Sequence, residues 1–184
     1  MRIDGRKHDE LRPVKIIPEY LQYPEGSALI TLGKTIVLCT ATIEETIPRW
    51  MQIQGKKGGW VTAEYSLLPR STETRTPRET MGLGGRTQEI RRFIGRSLRT
   101  SINLDNLGQR TCIVDCDVIQ ADGGTRAAGI TGGFVALAIA VNKLINMGVV
   151  PENTINFPVA AVSLGLIEGQ PLLDLCYQED ASID

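Results

Sequence analysis

Several short stretches in the first third of the chain are rich in β-branched residues, which is typical of strands. Residues 27–32 and 35–45 contain many Ile, Val and Thr residues, and the pair Gly33-Lys34 separates them. This pattern predicts a β-hairpin that turns at Gly33. A further strand is predicted for residues 60–68.

Two later segments have the character of helices. In residues 86–102 an apolar residue recurs at every fourth position, which predicts an amphipathic helix. A longer apolar segment at residues 124–147 predicts a second helix, which Gly148 would end as a C-cap residue. Residues 111–120, between these helices, are predicted to form a strand.

Residues 157–166 and 172–177 are predicted to form a second hairpin that turns at Glu168 and Gly169. The order of elements is then a β-rich first third, a helix, a strand, a helix and further strands. This order predicts an α+β sandwich in which helices cover one face of a sheet.

The composition is that of an ordinary globular domain: the chain has 184 residues, of which 42% are hydrophobic and 22% are charged. The four cysteines have no CxxC spacing and His8 is the only histidine, so neither a zinc site nor a histidine-activated nucleophile is expected. We expect a cytoplasmic protein with no membrane partner, because the N-terminus has no signal-peptide pattern and no apolar run suggests a membrane span.

Positive charge is concentrated in one part of the chain, although the formal net charge is only −1. Residues 70–110 contain nine arginines, no lysine and four acids. Arginine in place of lysine favours forked recognition of phosphate groups. Residues 69–85 have almost nothing to bury, and loops of this length are usually functional or disordered.

The second predicted helix begins with Gly123-Gly124-Thr125-Arg126. Free N–H groups at a helix start bind anions, glycine lets the anion approach the backbone, and the threonine and arginine add further donors. The segment is neither a P-loop nor a GxGxxG dinucleotide motif. A glycine-rich turn with a surface arginine would explain it equally well.

The first predicted helix begins in the same way, with Gly84-Gly85-Arg86-Thr87. If the two helix starts converge, Arg86 and Arg126 would form one oxyanion pocket with the backbone amides. Other arginines of this helix lie outside its apolar stripe, where they form either a solvated surface or a surface for a polyanion. These arginines are Arg91, Arg92, Arg96 and Arg99.

Two groups of acids are candidates for a metal site. Asp115 and Asp117 lie two apart on a predicted strand and therefore share a face, where we favour an ion-paired structural role over a metal pair. Glu179, Asp180 and Asp184 follow the last predicted strand. Carboxylates at a strand end suit Mg²⁺, which usually shares its ligands with substrate phosphates, but a solvated acidic chain end would look the same.

At this point the sequence closely resembles the bacterial ribonuclease PH family over essentially its whole length. The stretches that carry the resemblance are RIDGRKHDELRPV, YPEGSALITLGKTIVLCTATIEE, GWVTAEYSLLPRSTETRTPRE, GRTQEIRRFIGRSLR and DCDVIQADGGTRAAGITGGFVAL. The resemblance implies the ribosomal-protein-S5-domain-2-like βαβα sandwich of that family, assembled as a homohexamer, a trimer of dimers.

The resemblance also implies the residues of the site. Arg86, Gly124, Thr125 and Arg126 would hold the attacking inorganic phosphate as co-substrate, and Asp180 would be a catalytic acid associated with Mg²⁺. The arginine-rich loop would bind tRNA, and we add arginines of the first helix to the same surface. The predicted RNA-binding residues are Arg70, Arg75, Arg78, Arg92, Arg96 and Arg99.

The resemblance further implies that members of the family continue beyond residue 184. We therefore expect residues 1–184 to form a single ribonuclease PH domain that lacks the family's C-terminal strands and helix. A second catalytic acid would lie beyond residue 184, so Asp184 is not assigned that role, and the activity of the 184-residue chain is left open.

The expected function is phosphate-dependent 3′→5′ trimming of tRNA precursors with release of nucleoside diphosphates, the reaction of a phosphorolytic nucleotidyltransferase. One alternative is a non-catalytic RNA-binding ring subunit of the exosome type, which the retained Arg86 and Arg126 disfavour. The other is a metal-dependent hydrolytic nuclease, which would need more clustered acids and no phosphate site.

Overall fold

The computed structural model describes residues 2–182, and its centre is a five-stranded sheet. The strands are β1 (Val14–Pro18), β2 (Gly26–Leu32), β3 (Thr35–Glu44), β4 (Trp60–Leu67) and β5 (Thr111–Gln120). Their order in the sheet is β1-β2-β3-β5-β4, and neighbours are antiparallel except β4 and β5, which are parallel.

Two long helices cover one face of this sheet. The helices are α1 (Arg49–Ile53), α2 (Gly85–Thr100), α3 (Leu104–Leu107), α4 (Thr125–Asn146) and α5 (Tyr177–Asp180), with a 3-10 turn at Glu152–Thr154. Helix α2 packs on β4, and α4 packs on β2 and β3. The predicted sandwich with helices on one face of a sheet is therefore confirmed.

The core lies between the sheet and the two long helices. Alternate residues of β5 point towards α2 and α4 and are almost completely buried, whereas Asp115 and Asp117 point to the opposite face, as the period of a strand requires. The buried apolar residues of β5 are Cys112, Val114, Cys116 and Val118. The apolar stripe of α2 meets this face through Ile90, Ile94 and Leu98.

Glycines allow α4 to lie directly on the sheet. A Cβ atom at Gly26 of β2 would lie 1.9 Å from the carbonyl oxygen of Ala136, and one at Gly132 of α4 would lie 2.7 Å from Cγ2 of Ile30. Any larger residue at either position would push the helix away from the strand. Among residues 2–182, α4 is the one helix with the length and hydropathy of a membrane span, and its Leu137 and Val141 are fully buried in this core.

The C-terminal region differs in part from the prediction. Strands β6 (Leu164–Ile167) and β7 (Gln170–Leu173) form a separate hairpin that turns at Glu168 and Gly169, as predicted. Residues 157–163 are not a strand, so that prediction is wrong for this segment. The predicted strand over residues 172–177 ends at Leu173, and α5 carries the acids that we expected at a strand end.

A buried cluster of charges ties the N-terminal segment to the region before α5. We call the five residues Arg2, Arg6, Arg12, Asp174 and Glu179 the arginine–carboxylate cluster. The carboxylate of fully buried Asp174 accepts hydrogen bonds from the backbone N–H, Nε and Nη2 of Arg12 at 2.8, 3.0 and 2.7 Å. Arg2 donates two hydrogen bonds to Glu179 at 2.8 and 2.7 Å. Each buried charge thus has a close partner of opposite sign.

The same cluster fixes the backbone that leads into α5. Asp174 has a left-handed backbone with φ of 54°, and its carbonyl oxygen accepts hydrogen bonds from Arg2 and Arg6 at 2.9 and 3.0 Å. A carboxylate oxygen of Glu179 accepts the backbone N–H of Cys176 at 3.1 Å, which caps α5. The hydrogen bonds from Arg2, together with that backbone N–H, lower the pKa of Glu179 to about 2.

Replacing Glu179 with Gln should destabilise the protein by about 3–5 kcal/mol at pH 7, because the buried guanidinium of Arg2 loses its counter-charge. The pKa of Glu179 is about 2 when folded and near its ordinary 4.5 when unfolded. Its stabilising contribution is therefore complete above about pH 4.5 and is lost as the pH falls towards 2. Urea unfolding should show the difference in unfolding free energy between wild type and variant shrinking over this range.

The control for this experiment is Glu45→Gln, because Glu45 pairs with Arg110 at 2.9 Å but has a side chain that is 68% exposed. Such a surface pair contributes about 0–1 kcal/mol, so the control should hardly change the unfolding free energy. A difference for Glu179→Gln that stays constant from pH 7 to pH 2 would contradict the assignment.

Candidate phosphate site and RNA-binding surface

The two long helices begin without caps. The N-cap residues of α2 and α4 are Gly84 and Gly124, neither start has a side-chain cap, and neither first turn contains an acid. The much shorter α3, in contrast, is capped by Asn103, whose side-chain oxygen accepts two backbone N–H groups. Helix starts without caps leave N–H donors free and carry partial positive charge, so they suit an anion.

The two helix starts lie side by side, which is the condition for a shared oxyanion pocket. Arg126 in the first turn of α4 donates a hydrogen bond of 2.7 Å to Glu89 in the first two turns of α2. Both side chains are about half exposed, at 44% and 52%. An exposed ion pair of this kind is worth only about 0–1 kcal/mol, so a phosphate could compete with Glu89 for the guanidinium.

A buried tyrosine of β4 contacts the start of α4. The hydroxyl of Tyr65 lies 2.9 Å from that of Thr125, the first residue of α4, and the Tyr65 side chain is almost completely buried. Burial raises the pKa of the Tyr65 phenol, while the hydrogen bond to Thr125 and the charges of Arg86 and Arg126 act in the opposite direction. The positive charges of both arginines thus favour the ionised form of this one phenol.

Tyr65 is a residue that the sequence analysis missed. A signal was present, because Tyr65 continues the inward-facing series of Val61 and Ala63 on a predicted strand, and a buried phenol needs a hydrogen-bond partner. That the partner is Thr125 could not be read from the sequence.

A second carboxylate lies at the start of α2. Oε1 of Glu79 accepts the backbone N–H of Gly84 at 3.2 Å and the hydroxyl of Thr87 at 3.0 Å. All of these groups are near the surface, and Arg86 itself is exposed. Groups that hold a carboxylate in this way can also hold a phosphate oxygen.

The backbone conformation and the packing of the turn before α4 also require glycine at two positions, apart from any approach of an anion. Gly123 and Gly124 have φ of 74° and 69°, a left-handed conformation that glycine adopts without strain. A Cβ atom at Gly123 would lie 2.5 Å from the carbonyl oxygen of Leu175, and one at Gly124 would lie 2.9 Å from Nη2 of Arg12. The turn is thus packed against the arginine–carboxylate cluster and the segment before α5.

Hydrogen bonds hold this turn on three sides. Arg12 donates to the carbonyl oxygens of Asp122 and Gly123, and the hydroxyl of Thr35 donates to Gly123 at 2.7 Å. The backbone N–H of Tyr177, the first residue of α5, donates to Asp122 at 3.3 Å. The start of α4 and the start of α5 are therefore fixed relative to each other.

Asp180, the predicted metal-associated acid, is exposed and is the last residue of α5. The first residue of this helix, Tyr177, is the one that is hydrogen-bonded to Asp122. Within residues 2–182, no group of three or more His, Cys, Asp or Glu side chains is arranged to hold a metal ion. Mg²⁺ is commonly bound by one or two carboxylates together with substrate phosphates, and a single exposed carboxylate fits that mode. Asp184 lies outside the described residues.

Asp115 and Asp117 lie in a different place, on the face of the sheet opposite the helices. With Glu64 and Arg78 they line a cleft of about 370 Å³ below the loop that precedes α2. Burial raises the pKa of both aspartates, Asp117 adds to the rise at Asp115, and Arg78 counteracts it at Asp117. Neither aspartate has an ion-pair partner within 4.0 Å among the described residues, so the predicted salt-bridged role is not what this geometry provides.

The arginine-rich loop forms no regular element, but its base is tied to the sheet. The backbone N–H of Ala121 donates to Ser71 at 2.8 Å, and that of Thr76 donates to Pro69 at 2.8 Å. Three arginines of this loop are exposed, namely Arg70, Arg75 and Arg78.

On α2, Arg92 and Arg96 are exposed, whereas Arg91 pairs with Glu64. The guanidinium of Arg99 stacks 4.4 Å from the ring centre of Trp60, and its Nη1 donates to the carbonyl oxygen of Val61 at 2.7 Å. The structure therefore gives Arg99 a packing role in addition to the predicted contact with RNA.

Comparison with known proteins identifies the family. Residues 10–142 match the family described as "3′ exoribonuclease family, domain 1". A ribonuclease PH of Solibacter usitatus is 56% identical over 186 residues, covering 100% of this chain and 77% of that protein. A ribonuclease PH of Bacillus subtilis is 52% identical over 187 residues, covering 100% of this chain and 76% of that protein.

Solved structures agree in fold. The Archaeoglobus fulgidus exosome with RNA bound to the active site has a TM-score of 0.77 at 24% identity, over 100% of this chain and 74% of the other. Rice (Oryza sativa) Rrp46 has a TM-score of 0.74 at 24% identity, over 99% of this chain and 77% of the other. At this identity the likeness shows the fold alone, and it agrees with the predicted ribosomal-protein-S5-domain-2-like sandwich.

The convergent helix starts of α2 and α4 and the identity of more than half over the full chain lead to the same assignment. The chain belongs to the ribonuclease PH family of phosphate-dependent 3′→5′ exoribonucleases.

Proposed function

We propose that inorganic phosphate binds between the starts of α2 and α4 and attacks the 3′-terminal phosphodiester of a tRNA precursor. The observation that carries this proposal is that two helix starts without side-chain caps, each with an exposed arginine, lie side by side and are joined by the hydrogen bond from Arg126 to Glu89. Arg86 and Arg126 would neutralise the phosphate, and the amides of Gly124 and Thr125 would add directed donors.

The reaction follows from that placement. A phosphate oxygen forms a bond to the phosphorus of the terminal nucleotide, and the bond from that phosphorus to the 3′-oxygen of the preceding nucleotide breaks. The leaving 3′-oxygen takes a proton, so the RNA ends in a new 3′-hydroxyl and the product is a nucleoside diphosphate. Positioned cations stabilise the charge that develops on the transferring group.

Asp180 is the proposed metal ligand. Mg²⁺, when bound, would neutralise charge on the scissile phosphate and the attacking phosphate. Support for this role comes from α5, which carries Asp180 and is hydrogen-bonded to Asp122 and packed on Gly123 in the turn that begins α4. The carboxylate of Asp180 would hold the Mg²⁺ ion at the 3′ end of the RNA. The second acid expected for the family would lie beyond residue 184.

The exposed arginines of the loop and of α2 form the proposed surface for the body of the tRNA. The likeness to subunits of exosome assemblies supports a ring, and we propose the homohexamer of the family, a trimer of dimers, with residues 1–184 as one domain in each subunit. Such an enzyme would act in the cytoplasm on tRNA precursors and other structured RNA.

The phosphate site is tested by Arg86→Ala and Arg126→Ala. With a 3′-extended tRNA, Mg²⁺ and inorganic phosphate, each variant should release nucleoside diphosphates about 10²–10³-fold more slowly, as for the loss of one preorganised oxyanion donor. The control is Arg110→Ala, which removes an arginine paired with Glu45 away from the site and should leave the rate unchanged. Release of nucleoside monophosphates without phosphate would support a hydrolytic nuclease, and a protein that binds RNA but no inorganic phosphate would support a non-catalytic subunit.

The loop is tested by replacing Arg70, Arg75 and Arg78 together with Ala. Binding to tRNA should weaken, and the slope of log affinity against log salt should fall by roughly 0.7–0.9 for each RNA phosphate that the variant no longer neutralises. Turnover of a very short RNA should change much less, because it does not reach the loop. An equal loss with both substrates would place these arginines in the active site instead.

Asp180→Asn tests the metal role. Turnover should be lost at every Mg²⁺ concentration, because a neutral amide is a poor ligand for this cation, whereas affinity for tRNA should stay within about twofold since the arginine surface is intact. Gln178→Ala, a change at the exposed neighbour on α5, serves as the control for disturbance of the helix. Full turnover by Asp180→Asn would remove this residue from the mechanism.

A further inference from the structure

Tyr65 reaches the proposed phosphate site without being exposed to it. Its ring belongs to the core between β4 and the two long helices, and only 4% of the residue is accessible. Its hydroxyl lies 2.9 Å from the hydroxyl of Thr125, which is itself 8% exposed and is the first residue of α4. Tyr65 therefore contacts a group of the site and does not face the space where phosphate would bind.

Only one direction of the hydrogen bond between the two hydroxyl groups allows Thr125 to donate to a bound phosphate. A bound phosphate offers mainly acceptor oxygens, so the hydroxyl of Thr125 must give its single proton to the phosphate in order to hold it. The oxygen of Thr125 then has only lone pairs left for Tyr65, and Tyr65 must be the donor. Because burial raises the pKa of its phenol, Tyr65 keeps its proton over the working pH range and can fill this role.

We propose that Tyr65 is a positioning residue for inorganic phosphate, which acts by donating a hydrogen bond to Thr125 so that the Thr125 hydroxyl points its proton at the phosphate. The inference rests on the proposed phosphate site between α2 and α4. It assigns to a core side chain part of the affinity for the co-substrate, whereas Arg86 and Arg126 supply the charge.

Without the phenol hydroxyl, the Thr125 hydroxyl loses its fixed partner. It is then free to turn its proton towards other acceptors, and the population that faces the phosphate falls. The arginines and backbone amides are untouched, so chemistry after binding should be unchanged. The expected signature is weaker phosphate binding with a nearly normal kcat.

The test compares Tyr65→Phe with wild type by titration calorimetry with inorganic phosphate and by steady-state kinetics with varied phosphate. We expect the Kd and the KM for phosphate to rise about tenfold, a typical effect of one hydrogen bond to a charged site, while kcat stays within about twofold. Tyr23→Phe is the matched control, because Tyr23 is 98% exposed, and it should leave both constants unchanged.

A double-mutant cycle separates positioning from general damage to the fold. Thr125→Val should weaken phosphate binding at least as much as Tyr65→Phe, and the double variant should be no weaker than Thr125→Val alone, since Tyr65 acts through the Thr125 hydroxyl. Thr125→Ser keeps the hydroxyl and should retain the sensitivity to Tyr65→Phe. Binding is measured well below the melting temperature of each variant, so lower stability does not enter the comparison.

Three outcomes would overturn the inference. If Tyr65→Phe binds phosphate like wild type while Arg86→Ala and Arg126→Ala bind it poorly, the phosphate site stands and Tyr65 has no part in it. If the effects of Tyr65→Phe and Thr125→Val add fully, Tyr65 acts only through the fold. If neither arginine variant affects phosphate binding, the proposed site itself fails, and this result is distinguishable from the other two.

Discussion

The buried carboxylate of Asp174 is the constraint on which the arrangement of the site depends. A fully buried charge must be neutralised locally, and Arg12 and Arg6 do this from the N-terminal segment. The same guanidinium of Arg12 then has N–H groups left for the carbonyl oxygens of Asp122 and Gly123. One ion pair therefore holds the N-terminal segment, the region before α5 and the turn that begins α4.

The helices differ in how their first N–H groups are treated. Short helices α3 and α5 carry side-chain caps, whereas α2 and α4 begin at glycine and carry none. Omitting a cap costs roughly 0.5–2 kcal/mol for each helix, and the packing of long apolar faces in α2 and α4 compensates for this. Helix α1 also lacks a side-chain cap, but on α2 and α4 the unpaired donors lie where the proposed phosphate would use them.

Most of the main sheet and both long helices could be predicted from the sequence because their information is local. The period of Ile90, Ile94 and Leu98 identified α2, and the β-branched stretches identified β2 and β3 to within about a residue. The sequence predicts a strand end for the acids of α5, because the helix starts through reciprocal bonds between Cys176 and Glu179 and cysteine is not a usual N-cap residue.

The contacts that complete the site could not be predicted in the same way. Tyr65 and Thr125 are 60 residues apart, and Arg12 and Asp174 are 162 apart, so neither pairing leaves a periodic signal. The sequence does indicate that Asp174 has a partner of opposite charge, because it lies within the apolar run formed by β7 and the residues that follow it. The sequence could not say which of its many arginines that partner is.

The long separations within the arginine–carboxylate cluster have a consequence for the order of folding. Its hydrogen bonds join residues that lie between 162 and 177 positions apart, so none of them can form on a growing chain before residues 174–179 have left the ribosome. The strands and α2 can pair earlier through closer neighbours. The contacts of Arg12 and Thr35 with the turn before α4 can form earlier, but the side of this turn that faces α5 is completed late. A nascent chain therefore has the arginines of the proposed RNA surface before the proposed phosphate site is complete.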